Sequence, residues 1–160
     1  MDAPQFSADE VQQALHLTTM LCARFEGLRL SPYLCPAGVA TIGLGSTRYA
    51  DGRAVALLDA PITRDDAYKL LELTLLRDYL PAVLRLCPGV DSPQRLAALT
   101  DFAYNVGVGA LKASTLRRLV NAGAWSDVPR ELLRWVRGGG RELPGLVKRR
   151  IAEGVLVEQG

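Results

Sequence analysis

The chain has 160 residues, 49% of them apolar and 22% charged, which gives one domain a real core and argues against disorder. A formal net charge of +2 and a mean hydropathy of +0.10 describe a globular chain and carry no argument for nucleic-acid binding. The three cysteines, Cys22, Cys35 and Cys87, are an odd count without metal-ligand spacing, so neither a disulfide framework nor a metal site is expected.

The first ten residues, MDAPQFSADE, are acidic and lack a basic leader segment. The apolar part of the helix that follows covers about ten residues, too few to span a bilayer, so no signal peptide or transmembrane segment is expected within this chain. Ser7 and Glu10 form a capping box, with Phe6 and Val11 at the positions of a hydrophobic staple. Val11, Ala14, Leu15, Thr18, Leu21, Cys22 and Phe25 then follow a helical stripe. Gly27 is placed to end this helix, 7–26, which puts Glu26 on its last turn. His16 is the only histidine, so a Ser-His-Asp triad is disfavoured and a structural or exposed role is expected for it.

Residues 28–60 change character. Prolines, glycines and the short run Val39-Ala-Thr-Ile42 replace helical periodicity, and Asp51-Gly52 signals a tight turn. A small antiparallel sheet or hairpin is expected there. Thr63 and Asp66 cap a second long helix, about 63–80, that Pro81 should kink or split. From Asp91 the pattern is helical to about residue 157. Ser92-Pro93 starts one helix, Gly107 and Gly109 read as a stop and a turn, and a two-turn helix follows from Ser114. Another helix is expected from about Trp125 to Val136, then a flexible Gly138-Gly-Gly140 link, then a last helix opening at Leu143-Pro144. The whole reads as one α+β domain over 1–160, mainly helical.

Glu26, Cys35 and Thr41 stand out: a carboxyl at a helix end, then a thiol and a hydroxyl on a glycine-punctuated ribbon, is a way to build a small cleft. Glu26-Gly-Leu, Tyr33, Pro36-Ala-Gly38 and Thr41-Ile-Gly-Leu-Gly45 resemble the active-site segment of the phage-type lysozymes, the endolysin muramidases of glycoside hydrolase family 24. A second segment agrees: Phe102-Ala-Tyr-Asn105, Gly107, Gly109-Ala-Leu and Ser114-Thr-Leu resemble the helical-lobe motif of the same family, and Gly145 to Glu153 resembles its C-terminal run. That family sets Glu, Asp and Thr at this spacing. Here Glu26 and Thr41 match, Cys35 takes the Asp position, and Ser46 stands where many members have histidine.

The resemblance implies a two-lobed lysozyme-like fold and hydrolysis of the β-1,4 bond between N-acetylmuramic acid and N-acetylglucosamine in bacterial peptidoglycan. It implies Glu26 as the acid, Thr41 as a water-orienting hydroxyl, and Cys35 in the place of a base or a negative charge. Asn105 and one arginine of the Lys148-Arg149-Arg150 cluster, Arg149, are candidate cleft residues, although clustered basic residues usually mark a solvated face. No cofactor, metal or nucleic acid is called for. A monomer made in the host cytoplasm, acting on the wall in the periplasm after a holin-type partner opens the inner membrane, completes what the resemblance implies. Two other readings stay open: a lytic transglycosylase leaving anhydro-muramic ends, and a wall-binding protein impaired by the Cys35 and Ser46 departures. Cys22 lies on the helix face of Glu26, and a Cys22–Cys35 disulfide that ties up the site is a further possibility against two independent thiols.

Overall fold

The computed structural model describes residues 5–160. The reading of the extreme N-terminus falls partly on residues 1–4, outside the described residues. Helix α1 spans Ala8–Phe25 and starts as its sequence dictates: the Glu10 amide donates to Ser7 Oγ, and Glu10 Oε2 accepts from the Ser7 amide. Phe6, Ala14, Leu15, Leu21 and Cys22 are buried. The helix stops one residue earlier than its periodicity suggests. Glu26 is the capping residue, with extended backbone at φ −87° and ψ 136°, and its amide closes on Cys22 O at 2.7 Å. The carboxylate therefore leaves the helix axis sideways.

A hairpin follows, β1 (Arg29–Leu34) antiparallel to β2 (Ala40–Gly43), pairing Tyr33 with Thr41 and Leu34 with Ala40. The register slips between Arg29 and Tyr33, where Pro32 has no amide to give the ladder. The next turns are tight. Ile42 bridges to Ser46 across Gly43 and Gly45, at φ 69° and 90°, and Arg48 bridges to Ala54 around Gly52. Ile42, Val55 and Leu70 form a small apolar cluster that fastens this lobe to α2.

Helix α2 (Arg64–Thr74) has its expected Thr63–Asp66 capping box and runs through a π-helical turn, Leu75–Tyr79, into α3 (Leu80–Leu86). Pro81 thus kinks the rod without ending it near residue 80. It sits in the first turn of α3, where the wider turn before it accommodates the missing amide. Helix α4 (Pro93–Val106) is the centre of the main core, buried through Leu96, Ala97, Ala98, Leu99, Phe102 and Ala103 between α1 and α8. Gly107, at φ 98°, ends it as expected. Gly109 makes no turn: it lies inside α5 (Val108–Ala113), which leads to α6 (Thr115–Asn121).

Two expectations for the C-terminal part need correction. The helix read over Trp125–Val136 is a 3₁₀ turn, Trp125–Asp127, and a short α7, Val128–Leu132. Beyond it the chain makes tighter i→i−3 bonds at Arg134 and Trp135, and Arg150 Nε takes the Trp135 carbonyl at 3.0 Å, which draws the chain away from a helical path. The triple glycine is a hairpin turn rather than a flexible link. Gly139 and Gly140, at φ 59° and 81°, join β3 (Arg137–Gly138) to β4 (Arg141–Glu142), the two-positive-φ pattern of a two-residue turn. Helix α8 (Pro144–Gln159) closes the core.

Candidate active site

A cleft of about 460 Å³ lies between the hairpin lobe and the helices, lined by Glu26, Cys35 and Thr41 together with Tyr104 and Asn105. Four of the five expected residues, Glu26, Cys35, Thr41 and Asn105, thus line one cavity, drawn from the end of α1, the β1–β2 hairpin and the last turns of α4; Arg149, on α8, does not line it and stands behind Glu26.

Glu26 is held from behind. Arg149 Nη1 donates to its Oε1 at 2.7 Å, and the same guanidinium grips Asp101 through Nε at 2.9 Å and Nη2 at 2.8 Å. The Arg149 side chain is 4% exposed, Asp101 0% and Glu26 26%, so a core ion pair reaches the cleft only through the glutamate. Burial works against the charge of Arg149 and of Asp101, but their mutual contacts win, raising the guanidinium's pKa and lowering that of the carboxyl. The Cys22 thiol donates to Asp101 Oδ1 at 3.2 Å, and burial, then the Asp101 charge, keeps it protonated.

A second pair lies alongside. Arg150 is fully buried, binds both oxygens of Glu153 at 2.6 and 2.7 Å, lies over the Phe102 ring and donates to Asn105 Oδ1. Burial and then neighbouring Asp101 push the Glu153 carboxyl well above the usual range, against the pull of Arg150. Asn105 is thereby oriented by its carbonyl, with its amide left at the cleft.

The expectation of a solvated basic face fails for two of three residues: Lys148 is exposed, whereas Arg149 and Arg150 are core. Asp101, Arg150 and Glu153 were not among the expected site residues. Their signal is an acid in the apolar stripe of α4, between Ala98 and Phe102, facing a helix that carries two arginines and a glutamate on inward positions.

The opposite wall is lighter. Thr41 is 3% exposed and its hydroxyl donates to Val39 O at 2.9 Å. Cys35 opens a turn, its amide donating to Val39 O at 3.0 Å and its carbonyl accepting from Gly38 at 2.8 Å. The Val39 amide lowers the Cys35 thiol pKa most. Desolvation opposes it, and the Ala37 amide and the Thr41 hydroxyl add to the lowering. The single Thr41 proton serves either Val39 O or the thiolate. Cys22 and Cys35 are both free, one in the core network and the other at the cleft, so they sit as two independent thiols.

Gly45 explains the close approach of the two walls. A Cβ there would lie 2.9 Å from Tyr104 Oη and 3.6 Å from Glu26 Oε2, at a φ that side chains rarely adopt. Tyr104 Oη donates to Leu44 O at 2.7 Å, stitching α4 to the hairpin, and packs edge-on against Tyr79. Glu26 Oε2, the oxygen that Arg149 leaves free, faces this junction.

The phage lysozyme family model matches residues 23–153, a span that holds Glu26, Cys35, Thr41, Asp101, Asn105 and Arg149. The chain belongs to the phage lysozyme family. It is 34% identical over 140 residues to an endolysin of Bacillus phage B103, covering 88% of this chain and 52% of that protein, so it spans about half the length of that relative. An endolysin of Acyrthosiphon pisum secondary endosymbiont phage 1 is 33% identical over 146 residues, covering 87% of this chain and 93% of that one. A SAR-endolysin of Escherichia phage Mu is 30% identical over 144 residues, covering 86% and 76%. Among solved structures, the muramidase domain of SpmX from Asticaccaulis excentricus aligns with a TM-score of 0.74 at 29% identity, covering 88% of this chain and 93% of that one. The active form of the P1 phage endolysin Lyz aligns with a TM-score of 0.74 at 26% identity, covering 90% and 84%. The mainly helical fold with small antiparallel sheets is the phage lysozyme fold, and the chain is a glycosidase of the lysozyme class, an endolysin-type peptidoglycan-lytic enzyme.

Proposed function

We propose that the cleft hydrolyses the β-1,4 bond between N-acetylmuramic acid and N-acetylglucosamine, with Glu26 as general acid and with Thr41 and Cys35 acting on the attacking water. The observation that carries this reading is the division of labour at Glu26: Oε1 is tied to Arg149, while Oε2 is free at the cleft opposite the hairpin hydroxyl and thiol. A glycosidic oxygen is a poor leaving group and needs a proton as its bond breaks. Oε2 supplies it, and Arg149 with Asp101 fixes the carboxyl's direction.

Water attacks from the hairpin side. Thr41 accepts from it or donates to it, and its buried backbone contact limits it to a few rotamers. Cys35 brings charge when ionised, and its lowered pKa makes the thiolate available at a lower pH than for an ordinary thiol. It then takes the water's proton or faces the developing oxocarbenium ion. Attack by water on the face opposite the leaving group inverts the anomeric carbon. The chain acts as a monomer on the wall, reached through a holin-type partner; the family resemblance alone supports that delivery.

The test is mass spectrometry of fragments released from purified peptidoglycan by the wild type and by Glu26→Gln. Fragments with reducing muramic ends, lost in the variant, are expected. Anhydro-muramic ends would make the enzyme a lytic transglycosylase, and no fragments from folded, reduced wild type would leave a wall-binding protein.

A further inference from the structure

One wall of the cleft carries charge that the hydrolytic step leaves unused. Arg48, from the loop after β2, and Arg77, from the π-helical turn, both line the cavity. Both are fastened to the same short loop: Arg48 Nη1 donates to Gly52 O at 3.0 Å and Arg77 Nη1 to Ala50 O at 3.4 Å. A guanidinium holds five donors in a flat fork, so the one bond of Arg48, and the Ala50 bond and Asp78 contact of Arg77, leave donors of each fork for another partner. The acids of the cleft do not use them up. Glu26 is taken by Arg149, and Asp78, among the described residues, meets only its neighbour Arg77, at 3.4 Å and largely in solvent. Arg48 meets no carboxylate among the described residues. The π turn contributes a second feature, since its wider loop brings consecutive residues Arg77, Asp78 and Tyr79 all to the cleft.

We infer that Arg48 and Arg77 form a carboxylate-binding lip that takes free carboxylates of the peptidoglycan stem peptide, so that the cleft reads peptide as well as glycan. This rests on the hydrolase reading above. The glycan's hydroxyls and acetamides are neutral and give a guanidinium pair little to recognise, whereas a planar carboxylate matches the fork in two parallel bonds. Tethering both forks to one loop fixes their separation before substrate arrives, which lowers the entropic cost of binding. Wall phosphates offer similar chemistry, and the experiment separates the two sources.

The experiment measures kcat and KM for reducing-end release on soluble, phosphate-free peptidoglycan strands, before and after their carboxylates are converted to methylamides with carbodiimide. Amidation is expected to raise the wild-type KM about fivefold, the size of two exposed charge pairs lost. Arg48→Gln/Arg77→Gln should show that raised KM on untreated strands and no further response to amidation, with kcat moving less than KM. Arg48→Lys/Arg77→Lys, which keeps charge without the fork, should recover part of the difference. A double glutamine variant that responds to amidation as the wild type does overturns the inference. So does one whose KM rises equally on both substrates, which would mark the arginines as loop props. A wild-type KM indifferent to amidation overturns it without any variant, and would then point to phosphate as the anion if phosphorylated strands lowered KM. A wild type that releases no reducing ends from either substrate would instead remove the hydrolase reading itself.

Discussion

The two walls of the cleft are built on different physical terms. Glu26 is backed by a buried ion pair, Arg149 with Asp101, packed among α1, α4 and α8. Arg150 lies alongside with Glu153, whose carboxyl pKa burial pushes well above the usual range. Cys35 and Thr41 stand on a two-stranded hairpin, oriented by backbone amides and carbonyls in a tight turn. The first arrangement couples the proposed proton donor to the stability of the whole core. The second leaves the water-side groups on a light frame that can change with little cost to folding. Cys35, which the resemblance sets at an aspartate position, stands on that second wall.

Removing the cation behind the acid should break the comparison hardest. Arg149→Met leaves Asp101 buried and uncompensated and frees Glu26, so a loss of about 3–5 kcal/mol is expected in denaturant unfolding, together with most of the activity. Asp101→Asn in that background should restore part of the stability and none of the turnover. Full stability in the single variant would show that the network does not hold the core. Gly45→Ala comes next. The strained φ and the contact with Tyr104 Oη should cost about 1–2 kcal/mol, and activity should fall further than stability because Glu26 Oε2 lies at the same junction.

Cys35 sharpens the other wall. Its lowered pKa predicts that iodoacetamide modification of Cys35 rises with pH to a midpoint below the ordinary thiol value of about 8.5. Cys22, held protonated by burial, and Cys87, pushed up to about 11, should stay unmodified through that range. A lowered pKa means that the thiolate appears as pH rises through the lowered value, so turnover that uses it should rise over the same interval. Cys35→Ser should lose that limb; a serine variant that follows the wild type at every pH would rule out the thiolate. The smallest effect belongs to Ser46, whose buried hydroxyl has no hydrogen-bond partner among the described residues. Ser46→Ala should leave stability the same or raise it by about 1 kcal/mol, read from the unfolding midpoint.

Local signals made much of this legible from the residues. Capping boxes at Ser7 and Thr63, Ser92-Pro93 and Gly107 set the helix boundaries where they occur, because each acts within one turn of chain. The grouping of Glu26, Cys35, Thr41 and Asn105 in one cleft was legible through their spacing and family pattern. The network behind Glu26 was not, since Asp101, Arg149 and Glu153 meet only after α4 and α8 pack, and charge in a sequence is normally read as surface. The shortened helix before residue 136 was hidden for the same reason: the Arg150 bond to Trp135 O that diverts it spans fifteen residues. Paired glycines at 139 and 140 suit either a linker or a hairpin turn, and the flanking strand pairing decides.

The π turn at Leu75–Tyr79 gives the rod from α2 to α3 a built-in phase shift. One residue fewer there would let the backbone close as an ordinary α-helix with no bond lost. The helix after it would keep its direction, because the wide turn is what absorbs the extra residue, and only the residues within the turn would be re-aimed. Arg77, Asp78 and Tyr79 would no longer stand side by side along the cleft, and Pro81 would lose the wide turn in front of it. The segment is therefore a place where length matters more than composition: point substitutions change one contact, and a deletion re-aims a wall.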